Sequence, residues 1–257
     1  PHAGDKLLCI NQTSHALMAA EFCRHWANRD FAAPVPYAPV LAGIAQHDNG
    51  WYEWELAPQL RPDGAPMDFL HGPPLAEKLA LWQLGVERAA AQHPYAGLLV
   101  GWHASLLYLE GIDRMAGEEL LAVRGFISAQ ELRIAQAAHA FARDAVLGAA
   151  LRPAAVEAHT RLLQFGDNAS LQVCLPRARE RTLRNCPVDF RGEYTDIQMT
   201  WDDRAIHFAP WPFGVDAFSV SIHGRLLDQT SFPDERAYHA ALAAAPYHQL
   251  TWRVMPG

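Results

Sequence analysis

Two adjacent residues carry the clearest chemistry in this sequence: His47 and Asp48, in the run Gln46-His47-Asp48-Asn49-Gly50-Trp51. An imidazole beside a carboxylate offers two good ligands for a divalent transition ion. The pair follows an apolar run, Val40 to Ala45, and precedes Asn-Gly, a common helix stop. It is therefore expected in the last turn of a short helix, with side chains about 100° apart that can still converge on one ion. Such a dipeptide occurs by chance in many proteins and gains weight only from further ligands at workable places. Asp167 is one: it interrupts the apolar stripe Val156, Leu163, Leu171, Cys174 of a helix expected over 154–175. Burying an ionised aspartate costs several kcal/mol unless it is paired or bound to metal. It is either a ligand or a helix-interior aspartate bonded to a neighbour such as Arg161. His15 is another, in the first turn of an N-terminal helix beside the stripe Met18, Phe22, Trp26. Two imidazoles and two carboxylates from separate helices suit Fe, Mn, Zn, Co or Ni, as one ion or two.

These residues need a helical frame. The pattern predicts a short strand at Lys6–Asn11, then a helix capped by Thr13 or Ser14 and running to about Asn28. Asp30–Pro39 reads as a connector, and Trp51–Pro74 as a long Pro- and Gly-rich loop holding Met67-Asp68-Phe69-Leu70-His71. Leu75–His93 is a helix, and Pro94 starts the next, through Leu109, with Leu98, Leu99, Trp102 and Leu106 buried and His103 beside them. Ser128-Ala129-Gln130-Glu131 has the form of a capping box opening a helix to about Leu147. After about Pro187 the texture becomes alternating, with strands at Thr195–Trp201, Ile206–Phe208, Phe218–Ile222 and Leu250–Val254 and a short helix near Asp234–Ala245. The expected class is mostly α (α+β). A helical bundle over residues 1–185 carries a small antiparallel β appendage over 186–257, which the N-terminal strand joins.

Composition narrows the function. The 257 residues carry a net charge of −7, and their 21 Lys and Arg are scattered. The densest basic group, Arg177 to Arg181, reads as a solvated helix end, so nucleic acid is not an expected partner. No apolar run approaches the roughly 18–20 residues of a membrane span, and no secretory signal is read. Four cysteines without CxxC spacing read as reduced thiols in a cytoplasmic protein. The expected partner is a small-molecule substrate, and a homo-oligomer is left open. Trp51, Trp54 and Trp102 lie near the candidate site but read as core. His159, about two helical turns before Asp167, could contribute to a pocket wall. The remaining histidines form no pattern.

The order His15, His47-Asp48, Asp167 resembles the HD superfamily of metal-dependent phosphohydrolases. With His71 and His103 in between, it resembles the binuclear branch of that superfamily. The resemblance implies that His15, His47 and Asp167 hold a first ion, His71 and His103 a second, and Asp48 bridges them. That branch contains phosphodiesterases and mixed-valent di-iron oxygenases. Read from the residues alone, His103 is equally a core histidine bonded to a backbone carbonyl, and His71 a surface residue. More of the chain resembles an uncharacterised bacterial family, domain of unknown function 3891. The matching blocks are Gln12–Ala16, Ala45–Trp51, Pro66–Phe69, His93–Val100 with His103, Leu162–Gln164 with Asp167 and Ser170-Leu171, and Trp211–Phe213. Asn168-Ala169 departs from the Arg-Leu usual there, and His71 stands outside the blocks. The family brings no established activity. The leading expectation is a metal-dependent hydrolase of HD type acting on a small phosphorylated or nucleotide-like substrate, with Asp48 and His103 in catalytic roles. The alternatives are a di-iron oxygenase and a non-catalytic, metal-stabilised binding domain. Lys78, Arg88 and Arg161 are the only basic residues near the site in sequence, few for a highly charged substrate.

Overall fold

The structure, a computed structural model, describes residues 2–3, 6–175 and 179–257. Strands β1 (His2–Ala3) and β2 (Lys6–Cys9) lead into helix α1 (Gln12–Cys23). Helices α2 (Tyr37–Ala45), α3 (Tyr52–Leu56), α4 (Leu75–Gln92) and α5 (Pro94–Leu109) follow, then α6 (Gly117–Ala140), α7 (Leu147–Ala150) and α8 (Pro153–Cys174). The C-terminal third holds β3 (Glu180–Pro187), β4 (Tyr194–Trp201), β5 (Ala205–Ala209), β6 (Phe218–Leu227), α9 (Glu235–Ala244) and β7 (Tyr247–Pro256). About 51% of the chain is helix and 20% strand, an α+β mixture.

Local chemistry sets most boundaries. Pro94 occupies the first position of α5, and the His93 ring at its cap accepts from the Tyr95 N–H at 3.1 Å. Pro153 starts α8 in the same way. Asp234 caps α9 by accepting from the Ala237 N–H at 2.8 Å. Several boundaries differ from expectation: α1 begins at Gln12, before Thr13 and Ser14, α3 lies inside the expected loop, and α6 ends at Ala140 and not near Leu147. α1 stops at Cys23 because Ala27 takes φ 114° and turns the chain so that its N–H reaches the Pro212 carbonyl. The Ser128–Glu131 box lies inside α6: Val123, Phe126 and Ile127 already form a helical buried stripe before Ser128, and the helix begins at Gly117.

The strands form one sheet in the order β1-β2-β6-β7-β5-β4-β3, antiparallel throughout except for the parallel pair β5–β7. The N-terminal strands join it, as expected. It is larger than the expected appendage because β3, drawn from the charged stretch read as a helix end, adds an edge strand. Within that stretch, Arg177 and Ala178 lie outside the described residues. β3 also crosses the 185/186 division. Inward side chains alternate with exposed ones along β4 (Ile197, Met199, Trp201) and β6 (Phe218, Val220, Ile222). They meet Phe22 of α1 and Phe165 of α8 around Phe208, with ring centroids 5.8 and 5.5 Å away. One hydrophobic core thus runs from α2 and α5 through α1 and α8 to the sheet. α8 is its spine, and close approach to α1 is possible because a Cβ at Gly166 would lie 2.7 Å from the Ala19 carbonyl.

Candidate metal centre

The candidate ligands come from four places in this frame. α1 presents His15, α5 His103 and α8 Asp167, all buried. His47 and Asp48 lie just beyond α2, in the turn leading to the 3-10 turn Asn49–Trp51, rather than in the helix's last turn. That turn is pressed against α4. A Cβ at Gly50 would collide with the Leu81 carbonyl, so only glycine permits the approach. Arg88 of α4 donates to the Asn49 carbonyl at 3.0 Å and pairs with Glu53.

The side chains converge. His15 Nε2 is 2.8 Å from Asp48 Oδ2 and 3.8 Å from Asp167 Oδ1. His47 Nε2 is 3.5 Å from Asp48 Oδ2 and 3.6 Å from Asp167 Oδ1. His15, His47 and Asp167 each offer a ligand atom within 4.8 Å of the others. His103 Nε2 is 3.8 Å from Asp167 Oδ2. His15, His47 and His103 are 2, 1 and 1% exposed, so water cannot satisfy them.

Hydrogen bonds on the far side of each ring decide what faces inward. The Ser170 hydroxyl donates its one proton to the Asp167 carbonyl at 2.9 Å. It must therefore accept from His15 Nδ1–H, 2.8 Å away, so that in the neutral ring His15 Nε2 carries the lone pair. His47 Nδ1 lies 2.7 Å from the Ile44 carbonyl, which can only accept, so His47 Nε2 is bare as well and has no hydrogen-bond partner. Two lone pairs thus face two carboxylates in a dry core. Four acceptors arranged this way repel one another unless a metal cation lies among them or protons sit on the imidazoles. The titration behaviour points the same way. Burial opposes charge on His47, but Asp48, Asp167 and the Ile44 carbonyl outweigh it and raise its pKa to about 9. Burial opposes an ionised Asp167, yet the surrounding imidazoles hold it down to about 2. The cluster demands positive charge, and a buried His-His-Asp group of this kind could hold a metal ion.

The family model described as "Protein of unknown function (DUF3891)" matches residues 2–229. The chain belongs to this family. No curated protein and no solved structure matches it. The match takes in every buried residue of the DUF3891 cluster, and α9 and β7 lie wholly beyond it.

The two readings of Asp167 are separated by geometry, since Arg161 bonds to Glu157 and Gln164 while Asp167 faces the imidazoles. His103 joins the cluster; burial pushes its pKa down to about 4, and its Nδ1 has no partner. The structure does not bring His71 to these residues. Its side chain is 55% exposed and its Nδ1 lies 2.8 Å from Asp68 Oδ1, in a local turn around that aspartate. His159 is buried elsewhere, against Tyr95 and Phe190.

Sequence reasoning gave no site role to Ser170, Arg181, Arg184 or Glu55, and read Trp54 as core. Ser170 fixes the His15 tautomer; a serine one turn after Asp167 on the same helix is a signal, though a common one. Arg181 and Arg184 of β3 line, with Arg161 and Asp167, a cleft of about 890 Å³. Glu55 and Trp54 line a second cleft of about 720 Å³ that reaches His15. Among the described residues, no helix is long and apolar enough to cross a membrane.

Proposed function

We propose that this DUF3891 chain is a metal-dependent hydrolase of HD type, acting on a small phosphorylated or nucleotide-like substrate. In this reading the helical part is an HD-like bundle in which α1 supplies the first histidine, the turn after α2 the His-Asp pair and α8 the last aspartate. His15, His47, Asp48 and Asp167 hold the ion, which is Fe, Mn, Zn, Co or Ni. The single observation that carries the reading is the pair of histidines locked with both Nε2 lone pairs turned toward two carboxylates. The ion would supply Lewis acidity and lower the pKa of a coordinated water.

The protein's own groups do the rest. Ser170 and the Ile44 carbonyl hold the imidazoles in the ligating tautomer. His103, kept neutral by burial, can accept or pass a proton at Nε2 beside Asp167. Arg161, Arg181 and Arg184 line the cleft on the Asp167 side; Arg161 is engaged with Glu157, and Arg181 and Arg184 supply the cations that an anionic substrate needs.

The di-iron oxygenase reading asks His71 to hold a second ion, and His71 is engaged with Asp68 at the surface. The non-catalytic reading asks for a closed site, and clefts border both His15 and Asp167. The test is hydrolysis of a panel of phosphomonoesters, phosphodiesters and nucleotides by protein stripped with chelator and reloaded with each metal in turn. Metal-dependent release of phosphate or nucleoside, lost in Asp167→Asn, is expected. A metal-loaded protein that hydrolyses none of the panel overturns the reading.

A further inference from the structure

The cleft that reaches His15 is walled by apolar side chains, among them Leu8, Ile10, Met67, Phe69 and Leu171. Two polar atoms in its lining are buried without a hydrogen-bond partner: Trp54 Nε1 and Glu55 Oε2. They belong to consecutive residues of α3, the short helix that follows the His-Asp turn. Glu55 has an evident structural task, because its Oε1 accepts from the Gln12 N–H at the start of α1 at 2.6 Å. That task uses one oxygen. A second carboxyl oxygen and an indole N–H left dry cost about 1–3 kcal/mol apiece unless something else bonds to them. The cleft's cations are already engaged. Arg61 makes a two-point pair with Asp63, and Arg225 bonds to the Ala245 carbonyl while stacking on the Tyr247 ring. The cleft has an apolar wall, and the residues carrying an unpartnered donor and an unpartnered acceptor line it together with His15.

We infer that Glu55 is the proton donor to the leaving group and that this cleft takes the apolar alcohol portion of a phosphomonoester. The inference rests on the hydrolase reading above and narrows its substrate to aryl or alkyl phosphoesters, away from nucleoside polyphosphates. In the step assigned to Glu55, the bond between phosphorus and the alcohol oxygen breaks and its electron pair stays on that oxygen. The proton on Glu55 Oε2 moves there and gives the neutral alcohol. A water molecule supplies the hydroxyl that joins phosphorus and the proton that returns to Glu55. Trp54 Nε1 donates to the same alcohol oxygen. The groups placed around Glu55 favour a held proton: burial raises its carboxyl pKa to about 7 and Asp48 pushes the same way, against the Gln12 and Thr13 N–H groups. The other titratable or charged groups lining the cleft are His15, Arg61, Asp68, Arg225 and His239, with the phenols of Tyr238 and Tyr247 and the thiols of Cys9 and Cys174.

The test compares phenyl phosphate, whose leaving group needs a proton, with p-nitrophenyl phosphate, whose leaving group does not. Wild-type and Glu55→Gln proteins are used with their metal content measured. Gln keeps the acceptor for the Gln12 N–H, so metal content should be unchanged. Loss of a general acid should lower kcat on phenyl phosphate by about 100- to 10,000-fold, and on p-nitrophenyl phosphate by less than about tenfold. Equal losses on both esters, or none, overturn the assignment. Infrared spectroscopy supplies a readout independent of turnover: a protonated-carboxyl band that titrates near neutral pH and is missing in Glu55→Gln. Absence of that band from the wild type overturns the proton site. A loaded wild type that keeps the band but hydrolyses neither ester overturns the hydrolase reading instead.

Discussion

Helix α8 carries two buried polar clusters about two turns apart, and they treat histidine in opposite ways. At His159, the Tyr95 hydroxyl donates to the Ala150 carbonyl at 3.0 Å and so accepts from His159 Nδ1–H at 2.6 Å. His159 Nε2 has no partner, the ring stacks on Phe190, and among the described residues no carboxylate pairs with it. Burial then drives its pKa down to about 3, and the ring stays neutral. At Asp167 the same device, a hydroxyl that fixes Nδ1–H, points the bare Nε2 of His15 at carboxylates. One cluster is content without charge and the other requires a cation. A buried histidine with a locked tautomer is common to both; the carboxylates make the difference.

The comparison breaks most visibly if the carboxylate is removed. Asp167→Asn should abolish metal binding, measured by elemental mass spectrometry, whereas His159→Asn should leave metal content unchanged. Saturating metal should raise the stability of the wild type by about 4 kcal/mol at a thousandfold excess over its Kd and leave that of Asp167→Asn unmoved. Thermal melts with and without metal check this. Gly50→Ala comes next. The new methyl group meets the Leu81 carbonyl, so the turn holding His47 and Asp48 must shift. A loss of about 1–3 kcal/mol in chemical denaturation is expected, together with weaker metal binding. Wild-type stability in this variant would show that the turn is not pinned by α4.

The two hydroxyls sharpen the contrast. Ser170→Ala frees the His15 ring and should weaken metal affinity by about 10- to 100-fold in a competitive chelator titration. Tyr95→Phe strands His159 Nδ1–H, so it should cost about 1–3 kcal/mol of stability and leave metal affinity alone. The smallest effect concerns acid. His159 has a folded pKa below its unfolded value near 6.5, so the unfolded state binds the extra proton as pH falls. The stability from its neutral form is complete above about pH 6.5 and drains away toward pH 3. At pH 5.5 the loss is about 1.4 kcal/mol, and His159→Phe should lack that part of the decline in unfolding curves.

The sequence made much of this legible, and for physical reasons. α5, α8 and α9 were found to within about a residue because Pro94, Pro153 and Asp234 mark their starts and their apolar stripes are long. His15, His47, Asp48, His103 and Asp167 could be grouped because each polar residue interrupts or flanks a buried face. β3 escaped because four exposed charged residues along an edge strand, Glu180, Arg181, Arg184 and the adjoining Arg179, look like a solvated helix end. With β3 went the arginines of the Asp167 cleft. His71 was suggested by its place in the order of histidines, but the Asp68 side chain closes a local turn around it. Glu55 and Ser170 act through tertiary neighbours more than 40 positions away, Gln12 and His15; no local pattern marks Glu55, and the spacing of Ser170 from Asp167 is a common one.

The central claim is that the locked imidazoles and carboxylates are arranged around a cation. The most direct test is the metal content of protein purified without chelator or affinity tag, measured by elemental mass spectrometry against protein concentration. The account predicts roughly one Fe, Mn, Zn, Co or Ni ion per chain, bound through His15, His47, Asp48 and Asp167. Protein that carries no metal and takes none up on reconstitution would contradict it.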